Sequence, residues 1–370
     1  MVSPLRKQNR LFIVMMNKTQ QLLKKGRQEI NRAQKKRSLA RFYNVNSMCG
    51  NDWSIFRIVI GARMTGKSYS VTERMCNLKK KLGDNCKCYW LRISDLSTKQ
   101  LLANKASKLV DADLVRKYQL ELSTKGNVVF DHGKTFCEVY PLSSFGKMKG
   151  IAFFDCEFKG KYFIVLDEFQ LEIGERRTSF DILYNFIGFV ENIARTTKNN
   201  IEVWLLGNNL QEASEILKAF NFIPQEYGRY YLKRKRCIID YIEPSEEYLN
   251  DRKGSIADIL GGSEMSNFTN EIEKDFRLIS KEKLIKPQAI IKFGKNKDSW
   301  YTLWNSNLIK RYNGQNCSNV IAMRPYISQL FSMERRQNII DMYDMEAFKY
   351  ATLVDKTYFE SDLKKIRITK

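Results

Sequence analysis

The sequence predicts an α/β protein in which a mostly parallel β-sheet with helices on both faces is followed by a smaller α+β module. Short apolar runs alternate with amphipathic helical stretches between residues 52 and about 231. Continuous apolar strands between helices are typical of a parallel sheet that is covered on both faces. A segment with two glycines, 61–68, stands between the first apolar run and a stretch that favours a helix. Near the C-terminus, apolar runs at 289–293 and 299–304 flank a polar turn, which indicates a β-hairpin.

Five apolar runs are the predicted strands of the large sheet. In chain order they are residues 55–60, 88–93, 128–130, 162–166 and 201–206. Changes of composition along the chain predict four regions. They are a basic helical arm at 1–42, the α/β domain at 43–231, a linker or lid at 232–286, and an α+β C-terminal domain at 287–370.

Positive charge is concentrated at the two ends of the chain. The 370 residues include 63 Lys and Arg against 41 Asp and Glu, which gives a formal net charge of +22. Residues 1–42 contain twelve basic side chains and one acidic one, and residues 284–370 contain fifteen basic and eight acidic ones. A surplus of this size indicates a polyanionic partner such as nucleic acid. A membrane partner is not expected, because the longest apolar run near the start, 11–16, is too short to span a bilayer and lacks the features of a secretory signal.

The cysteines argue against a zinc site. The chain has eight of them without a CxxC pair, and His132 is its only histidine. A structural zinc site needs four closely grouped Cys or His ligands, and a catalytic histidine is not expected either. Reduced thiols in a cytosol-like compartment are the simplest interpretation.

The segment at 61–68 matches the GxxxxGK[ST] pattern of a phosphate-binding P-loop. Its eight residues are Gly61, Ala62, Arg63, Met64, Thr65, Gly66, Lys67 and Ser68. The glycines let the backbone curl so that its N–H groups point at phosphate oxygens. Lys67 then reaches the β- and γ-phosphates, the Ser68 hydroxyl ligates Mg²⁺, and the helix that follows adds the positive end of its dipole. The motif therefore predicts a P-loop NTPase fold that binds a nucleoside triphosphate with Mg²⁺.

Two carboxylates follow the predicted strand at 162–166. Asp167 is positioned to hold the Mg²⁺ ion through water, and Glu168 to polarise the attacking water as a general base. A glutamate at this position favours hydrolysis of ATP by water. The NKxD motif with which GTPases recognise their base is not found in the sequence, so ATP is the expected substrate.

Two further polar residues are candidates for catalysis. Asn208 follows the strand at 201–206 and is predicted to sense the γ-phosphate or the lytic water, with Asn209 as the alternative. Arg195 lies at the end of the helical segment at 181–196, at the predicted edge of the domain and within reach of a neighbouring subunit. An arginine finger from such a position stabilises the charge of the transition state.

These segments together resemble the small DNA-packaging (encapsidation) ATPases of phi29-like tailed phages, which are P-loop motors of the additional-strand catalytic-glutamate class. The similarity covers GARMTGKS at 61–68, CYWLRIS at 88–94, FIVLDEF at 163–169, ENIAR at 191–195 and VWLLGNN at 203–209. The resemblance implies a homo-oligomeric ring, usually a pentamer, at the portal vertex of a prohead in the host cytoplasm. Such a ring hydrolyses ATP to drive double-stranded DNA into the capsid. It also implies active sites between subunits, with Arg195 as the arginine finger that acts in trans.

The C-terminal domain of this family is similar to a vestigial RNase H-like nuclease that contacts the portal or, in some members, a packaging RNA. The region at 287–370 is therefore expected to bind the portal or nucleic acid. Its first strand, 289–293, contains a lysine and no acid, whereas a two-metal nuclease needs several clustered carboxylates. Nuclease activity is not expected. The basic arm at 1–42 is longer than the family leads us to expect, and its role is open.

Two other functions fit part of the pattern. A cellular DNA translocase or helicase of the same ATPase class shares the three motifs but needs no prohead, so stimulation of DNA-dependent turnover by empty proheads separates the two. A nucleic-acid-binding scaffold with a non-catalytic nucleotide site predicts that the catalytic glutamate is missing, whereas Glu168 is present.

Overall fold

Two β-sheets organise the chain, one in each of two units. The computed structural model describes residues 42–50, 52–147, 157–170, 181–194, 200–208, 214–224, 226–254, 259, 277–329 and 331–368. The first unit comprises Met1–Leu210 and Glu226–Ile272, and the second comprises Gln211–Gln225 and Glu273–Lys370. Of the predicted basic arm, all residues but Phe42 lie outside the described ones.

Among the described residues, the first unit contains nine strands. They are β1 (Phe56–Ile60), β2 (Cys86–Arg92), β3 (Leu122–Lys125), β4 (Val128–Asp131), β5 (Lys134–Pro141), β6 (Lys161–Asp167), β7 (Ile201–Gly207), β8 (Gly228–Leu232) and β9 (Cys237–Tyr241). Its described α-helices are α1 (Asn46–Cys49), α2 (Lys67–Leu82), α3 (Asp95–Ala106), α4 (Ala112–Tyr118), α5 (Ile182–Ala194) and α7 (Glu246–Arg252). Helix α6 (Glu215–Ala219), between the last two, belongs to the second unit.

The nine strands form one sheet in the order β3-β4-β5-β2-β6-β7-β1-β9-β8. The six strands from β5 to β9 in this order are mutually parallel, whereas β3, β4 and β8 are antiparallel additions at the edges. Strand β7 lies between β1 and β6, so one strand separates the glycine loop after β1 from the carboxylates after β6. The prediction of a large, mostly parallel α/β sheet is confirmed. Because parallel strands end at the same edge, the residues after β1, β2, β6 and β7 lie along one edge of the sheet.

Helices cover both faces of this sheet. Alternate residues of a strand point to opposite faces. In β2, Trp90 belongs to the same core as Met75 of α2, while Tyr89 meets Phe189 of α5 edge-on, with ring centroids 5.8 Å apart. Ile164 in the middle of β6 is 0% exposed. Burial on both faces is the reason why the central strands are mostly apolar in the sequence.

The sheet extends beyond residue 231, where the sequence predicted the start of a linker or lid. Cys237–Tyr241 forms β9 beside β1, and Lys233–Lys235 is the turn of the β8–β9 hairpin. Four consecutive basic residues are typical of a solvated linker. Here they close an edge hairpin whose second strand is apolar apart from Asp240. Residues 237–241 therefore belong to the sheet and not to a linker.

The second unit is built on a five-stranded sheet in the order β13-β10-β11-β12-β14. Its strands are β10 (Pro287–Lys292), β11 (Trp300–Trp304), β12 (Leu308–Arg311), β13 (Val320–Ala322) and β14 (Lys349–Tyr350). Its described helices are α6 (Glu215–Ala219), α8 (Met333–Asp344) and α9 (Leu353–Ile368). Strands β10 and β11 pair antiparallel, as the hairpin pattern predicted. Phe359 of α9 packs edge-on against Phe293 and Tyr301 in the core. In the described part of the chain, every helix is too short or too polar to cross a membrane.

Candidate active site

The predicted phosphate-binding loop connects β1 to α2. Gly66 has a φ of +86°, in the left-handed region that glycine adopts without strain. A Cβ on Gly61 would lie 3.0 Å from the Cβ of Ile242, so a side chain fits here only if Ile242 shifts by a few tenths of an ångström. The Thr65 hydroxyl donates a hydrogen bond to the Ala62 carbonyl at 2.9 Å. The geometry therefore favours both glycines, Gly66 for its conformation and Gly61 for its close packing.

Lys67 begins α2, and its ammonium group lies against the backbone of the loop. Nζ donates to the carbonyl oxygens of Gly61 at 2.9 Å and of Ala62 at 2.5 Å, and the residue is 7% exposed. Arg63 and Met64, at the tip of the loop, are exposed. The loop thus brings a cation and the positive end of the α2 dipole within one helical turn of each other, which favours an anionic ligand.

Ser68 and Asp167, the predicted Mg²⁺ ligands, are in direct contact. The Ser68 hydroxyl donates to Asp167 Oδ1 at 3.2 Å across a sequence separation of 99 residues. Asp167 ends β6 and is 3% exposed. Mg²⁺ prefers oxygen ligands, and in nucleotide enzymes it is bound by one or two protein side chains with phosphates and water completing its shell. The pair fits such a site.

Arg92, the last residue of β2, lies between the two carboxylates. Its Nη2 contacts Asp167 Oδ2 at 3.0 Å, and its Nη1 pairs with Glu168 Oε2. The contact follows from the sheet, because β2 is the neighbour of β6 and Leu91 is in register with Leu166. The buried Nε of Arg92 meets no acceptor within the part of the chain that the structure describes. Arg92 therefore joins Lys67, Asp167 and Glu168 as a charged residue of the site.

Glu168 leaves β6 in an unusual backbone conformation. Its φ is +56°, in a region that residues other than glycine occupy mainly at turns and functional sites. Partial removal from water raises the pKa of Glu168 above its ordinary value; the charge of Asp167 acts in the same direction, and those of Arg92 and Arg63 oppose it. The side chain is still 49% exposed. The carboxylate is therefore accessible to a water molecule.

Asn208 lies at the end of β7, between the loop strand and the carboxylate strand. Gly207 is in register with Ile60 of β1, and Asn208 follows directly and is 8% exposed. The ring of Phe169 packs over Gly207, where an added Cβ would lie 2.8 Å from two ring atoms. The structure thus brings Asn208 to the same edge of the sheet as the loop and the carboxylates. The alternative, Asn209, lies outside the described residues.

One arginine was predicted for the site and another was not. Arg195, the predicted finger, follows Ala194, the last residue of α5, and lies outside the described residues. Arg92 was given no role from the sequence. The sequence signal for Arg92 is a charged residue directly after the apolar run 88–91, but many exposed strand ends carry a charged residue. Its role becomes visible only when the strand order places β2 beside β6.

The chain is similar to a known protein family over most of its length. The model of the family described as Podovirus DNA encapsidation protein (Gp16) matches residues 36–303. This span contains the glycine loop, both carboxylates, Arg92 and Asn208. A search of curated proteins gives no match.

Two solved structures have a similar fold. A chain of the bacteriophage Phi-29 viral genome packaging motor assembly is 19% identical with a TM-score of 0.62, and the match covers 89% of this chain and 100% of that one. A chain of the Phi-28 gp11 DNA packaging motor is 15% identical with a TM-score of 0.56, and the match covers 89% and 98%. At these identities, the similarity establishes a common α/β fold with a large, parallel-rich sheet.

Proposed function

The chain belongs to the podovirus DNA encapsidation family, and from this premise we propose that it is the Mg²⁺-dependent ATPase of a DNA-packaging motor. The observation that carries the proposal is the meeting of four strand ends at one edge of the sheet. These strand ends carry the glycine loop after β1, Arg92 of β2, Asp167 of β6 with Glu168 directly after it, and Asn208 after β7.

The loop is suited to hold the triphosphate of ATP. Gly61 and Gly66 allow the backbone to approach phosphate oxygens closely, and Lys67 exchanges one of its loop carbonyls for a phosphate oxygen without losing all its contacts, since an ammonium group has three donors. Ser68 and Asp167 supply the protein ligands of Mg²⁺. When bound, the metal neutralises the charge that develops on the phosphate oxygens.

Glu168 is the proposed general base. It accepts a proton from the water that attacks the γ-phosphate, and Asn208 orients that water or senses the γ-phosphate. In the described arrangement, Oε2 of Glu168 is paired with Arg92, so one of the two carboxylate oxygens is occupied. Proton transfer to Oε2 therefore requires this contact to open.

We propose further that identical subunits form a ring, pentameric by resemblance, in which Arg195 of each subunit completes the site of the next. The Phi-29 relative is described as part of a motor assembly, which supports an oligomeric state. The net charge of +22 suits a partner with a phosphate backbone. The proposed task is translocation of double-stranded DNA into a prohead, at the portal vertex in the host cytoplasm.

We assign the second unit to docking, on the portal or a packaging RNA, and not to DNA cleavage. Its buried acids already have structural partners. Asp355 accepts from the Thr352 hydroxyl at 2.6 Å and the Arg311 amide at 2.8 Å, and Asp362 accepts from the Tyr301 hydroxyl at 2.9 Å. In the described part of the chain, no three His, Cys, Asp or Glu side chains are grouped so that they could hold a metal ion.

The substitution Glu168→Gln tests the role of the base. ATP binding should be retained while the rate of hydrolysis falls by roughly 10²- to 10⁴-fold, the usual contribution of a positioned base. Glu282→Gln, at an ion pair on the surface of the second unit, is the control and should hydrolyse at the wild-type rate. A Glu168→Gln protein that turns over normally would remove Glu168 from the mechanism.

A mixing experiment tests the shared site. Glu168→Gln subunits and Arg195→Ala subunits are each expected to be inactive, and their mixture should recover activity at interfaces that combine an intact base with an intact finger. Recovered activity that rises further with DNA and empty proheads supports the packaging motor. Full activity of Arg195→Ala alone contradicts the finger, and no response to proheads favours a cellular translocase.

A further inference from the structure

Phe42 lies directly beside the glycine loop and is largely exposed. A Cβ on Gly66 would lie 3.2 Å from Phe42 Cβ and 3.3 Å from its Cδ1, so the aromatic side chain sits at the point where the loop becomes α2. The residue is 59% exposed. A large aromatic side chain held at a ligand site with most of its surface accessible is suited to stacking on a flat ligand.

The backbone around Phe42 is firmly held by the first unit. Tyr43 N–H donates to the Thr65 carbonyl at 2.8 Å, and Val45 N–H donates to Ser70 Oγ in the first turns of α2 at 3.0 Å. These two bonds tie the segment to both ends of the loop–helix junction. Phe42 is therefore presented by a fixed backbone and not by a loose end, which lowers the entropic cost of binding through it.

A buried charged cluster also holds this segment against β9, the strand next to β1 on the side away from β7. The Tyr43 hydroxyl donates to Asp240 Oδ2 of β9 at 2.5 Å. Arg229 donates to both Asp240 oxygens at 2.5 Å and to the Ser47 carbonyl at 2.9 Å. Asp240 is 2% exposed, so the cluster is a built feature of the fold.

The strand order gives the direction in which a nucleotide lies. In the sheet order β6-β7-β1-β9, the carboxylates lie on the β6 side of the loop strand, and the segment at 42–45 is held on the β9 side. The γ-phosphate belongs next to Asp167 and Glu168. The nucleoside, at the other end of a linear triphosphate, then belongs on the side of Phe42.

We propose that Phe42 forms the base-binding subsite of this nucleotide site and stacks on the purine ring. This inference rests on the proposed ATPase function. Every base has a π-face, and a purine offers a larger one than a pyrimidine. A phenyl ring has no hydrogen-bonding groups, so Phe42 itself favours purines over pyrimidines and does not separate adenine from guanine.

Binding of ATP and of inorganic tripolyphosphate to the full chain in Mg²⁺ tests this subsite. Phe42→Ala should weaken ATP binding on the order of tenfold or more, as removal of one stacking aromatic does. It should leave tripolyphosphate binding unchanged, because that ligand has no base. The preference for ATP over CTP should shrink in the same variant. Phe42→Trp should restore ATP binding, with quenching of the added indole fluorescence.

One control variant and the wild type separate the possible failures. Tyr326→Ala removes an equally exposed aromatic, 59%, from the second unit and should bind both ligands as the wild type does. If the wild type binds neither ATP nor tripolyphosphate, the proposed function fails and the subsite with it. If the wild type binds both, the subsite alone is overturned by a Phe42→Ala protein that binds ATP normally or loses both ligands equally.

Discussion

Arg92 compensates two negative charges that the chain places next to each other. Asp167 is almost completely buried, and a buried carboxylate is costly unless a cation or hydrogen-bond donors stabilise it. Arg92 supplies that cation in the described arrangement, and Mg²⁺ is the cation proposed to join Asp167 in the working enzyme. The guanidinium and the metal therefore compete in part for the same carboxylate.

The first prediction follows from this competition. Arg92→Ala should lower the free energy of unfolding without metal by about 3 kcal/mol, because it leaves a buried carboxylate unpaired. The affinity for Mg²⁺ should rise, since the metal no longer displaces a guanidinium. Thermal unfolding with and without Mg²⁺ measures both effects. Arg92→Lys keeps the charge and should change both less, and equal metal affinity in all three proteins contradicts the prediction.

The second prediction concerns the contact between Gly207 and Phe169. Gly207→Ala places a methyl group 2.8 Å from the phenyl ring, and overpacking of this kind costs about 1–3 kcal/mol. Urea unfolding should show this loss, and the second substitution Phe169→Leu should recover part of it. Gly50→Ala, where an added Cβ meets nothing within 4 Å, is the control. A Gly207→Ala protein as stable as the wild type would show that the ring moves away freely.

The sequence predicted the site unevenly. The loop residues, Ser68, Asp167 and Glu168 were predicted because their chemistry is written in contiguous motifs. Arg92 and the proposed base-binding residue Phe42 were not predicted, because each depends on a neighbour that is distant in sequence. A local sequence pattern identifies residues that belong to one contiguous motif. Residues whose partners lie on another strand can be identified only when the order of the strands is known.

At the scale of elements, the opposite end of the sheet from the active site holds a buried ionic network. Glu202 of β7 is 2% exposed and is bonded to Arg74 of α2, to Lys161 of β6 and to the Trp204 indole. Burial by itself raises its pKa, but the charges of Arg57, Lys161 and Arg74 lower the pKa of Glu202 to about 2. The network therefore connects three elements that support the site.

The third prediction is a pH dependence of stability from this network. Because the pKa of Glu202 is lower in the folded chain than its ordinary value near 4.3, its contribution is complete above that value and is lost as the pH falls from about 5 towards 2. Glu202→Gln should lower the free energy of unfolding at pH 7 by about 3 kcal/mol and flatten its decline between pH 5 and 3. Urea unfolding across this range measures both.

The control for this prediction is Glu282→Gln, which removes an acid from an exposed pair with Lys349. Solvent screens such pairs, so the pH dependence should match that of the wild type. If Glu202→Gln and the wild type lose stability in parallel on acidification, Glu202 is not ionised in the way described.

The sequence predicted five strands of the first sheet, β1, β2, β4, β6 and β7, and did not predict β3, β5, β8 or β9. Strands β1, β2, β6 and β7 are mostly apolar because both faces are covered. The β8–β9 hairpin was missed, because its turn is a run of basic residues and β8, at the edge, is only partly buried. An edge strand pairs with a neighbour on one side only and is buried on one face only. Its sequence therefore differs little from that of a loop.

At the scale of the whole molecule, charge predicts how the chain binds DNA. The fourth prediction is that the logarithm of its affinity for double-stranded DNA falls linearly with the logarithm of salt concentration, by about 0.9 for each phosphate contacted, and is independent of DNA sequence. Removal of residues 1–41, which carry twelve basic side chains, should make the slope shallower. The DNA should remain uncut in Mg²⁺. Salt-independent binding contradicts the prediction.

The second unit is assembled from two separated pieces of chain. The segment Gln211–Gln225, which contains α6, belongs to it, although β7 precedes that segment and β8 follows it in the first unit. Lys218 of α6 lies over the Tyr358 ring of α9, 5.4 Å from its centroid. Ile216 and Leu217 of α6 are each 1% exposed.

The chain therefore crosses between the units three times, and no single cut releases the second unit whole. A fragment beginning at residue 273 lacks α6, and a fragment ending at 272 carries α6 without the rest of its unit. The second unit is complete only when residues 211–225 accompany residues 273–370. A circularly permuted chain or a pair of complementing fragments can provide both segments, whereas a simple truncation cannot. The first of these crossings comes directly before residue 211, three residues after Asn208. The proposed γ-phosphate sensor is therefore followed in the chain by the first segment of the second unit.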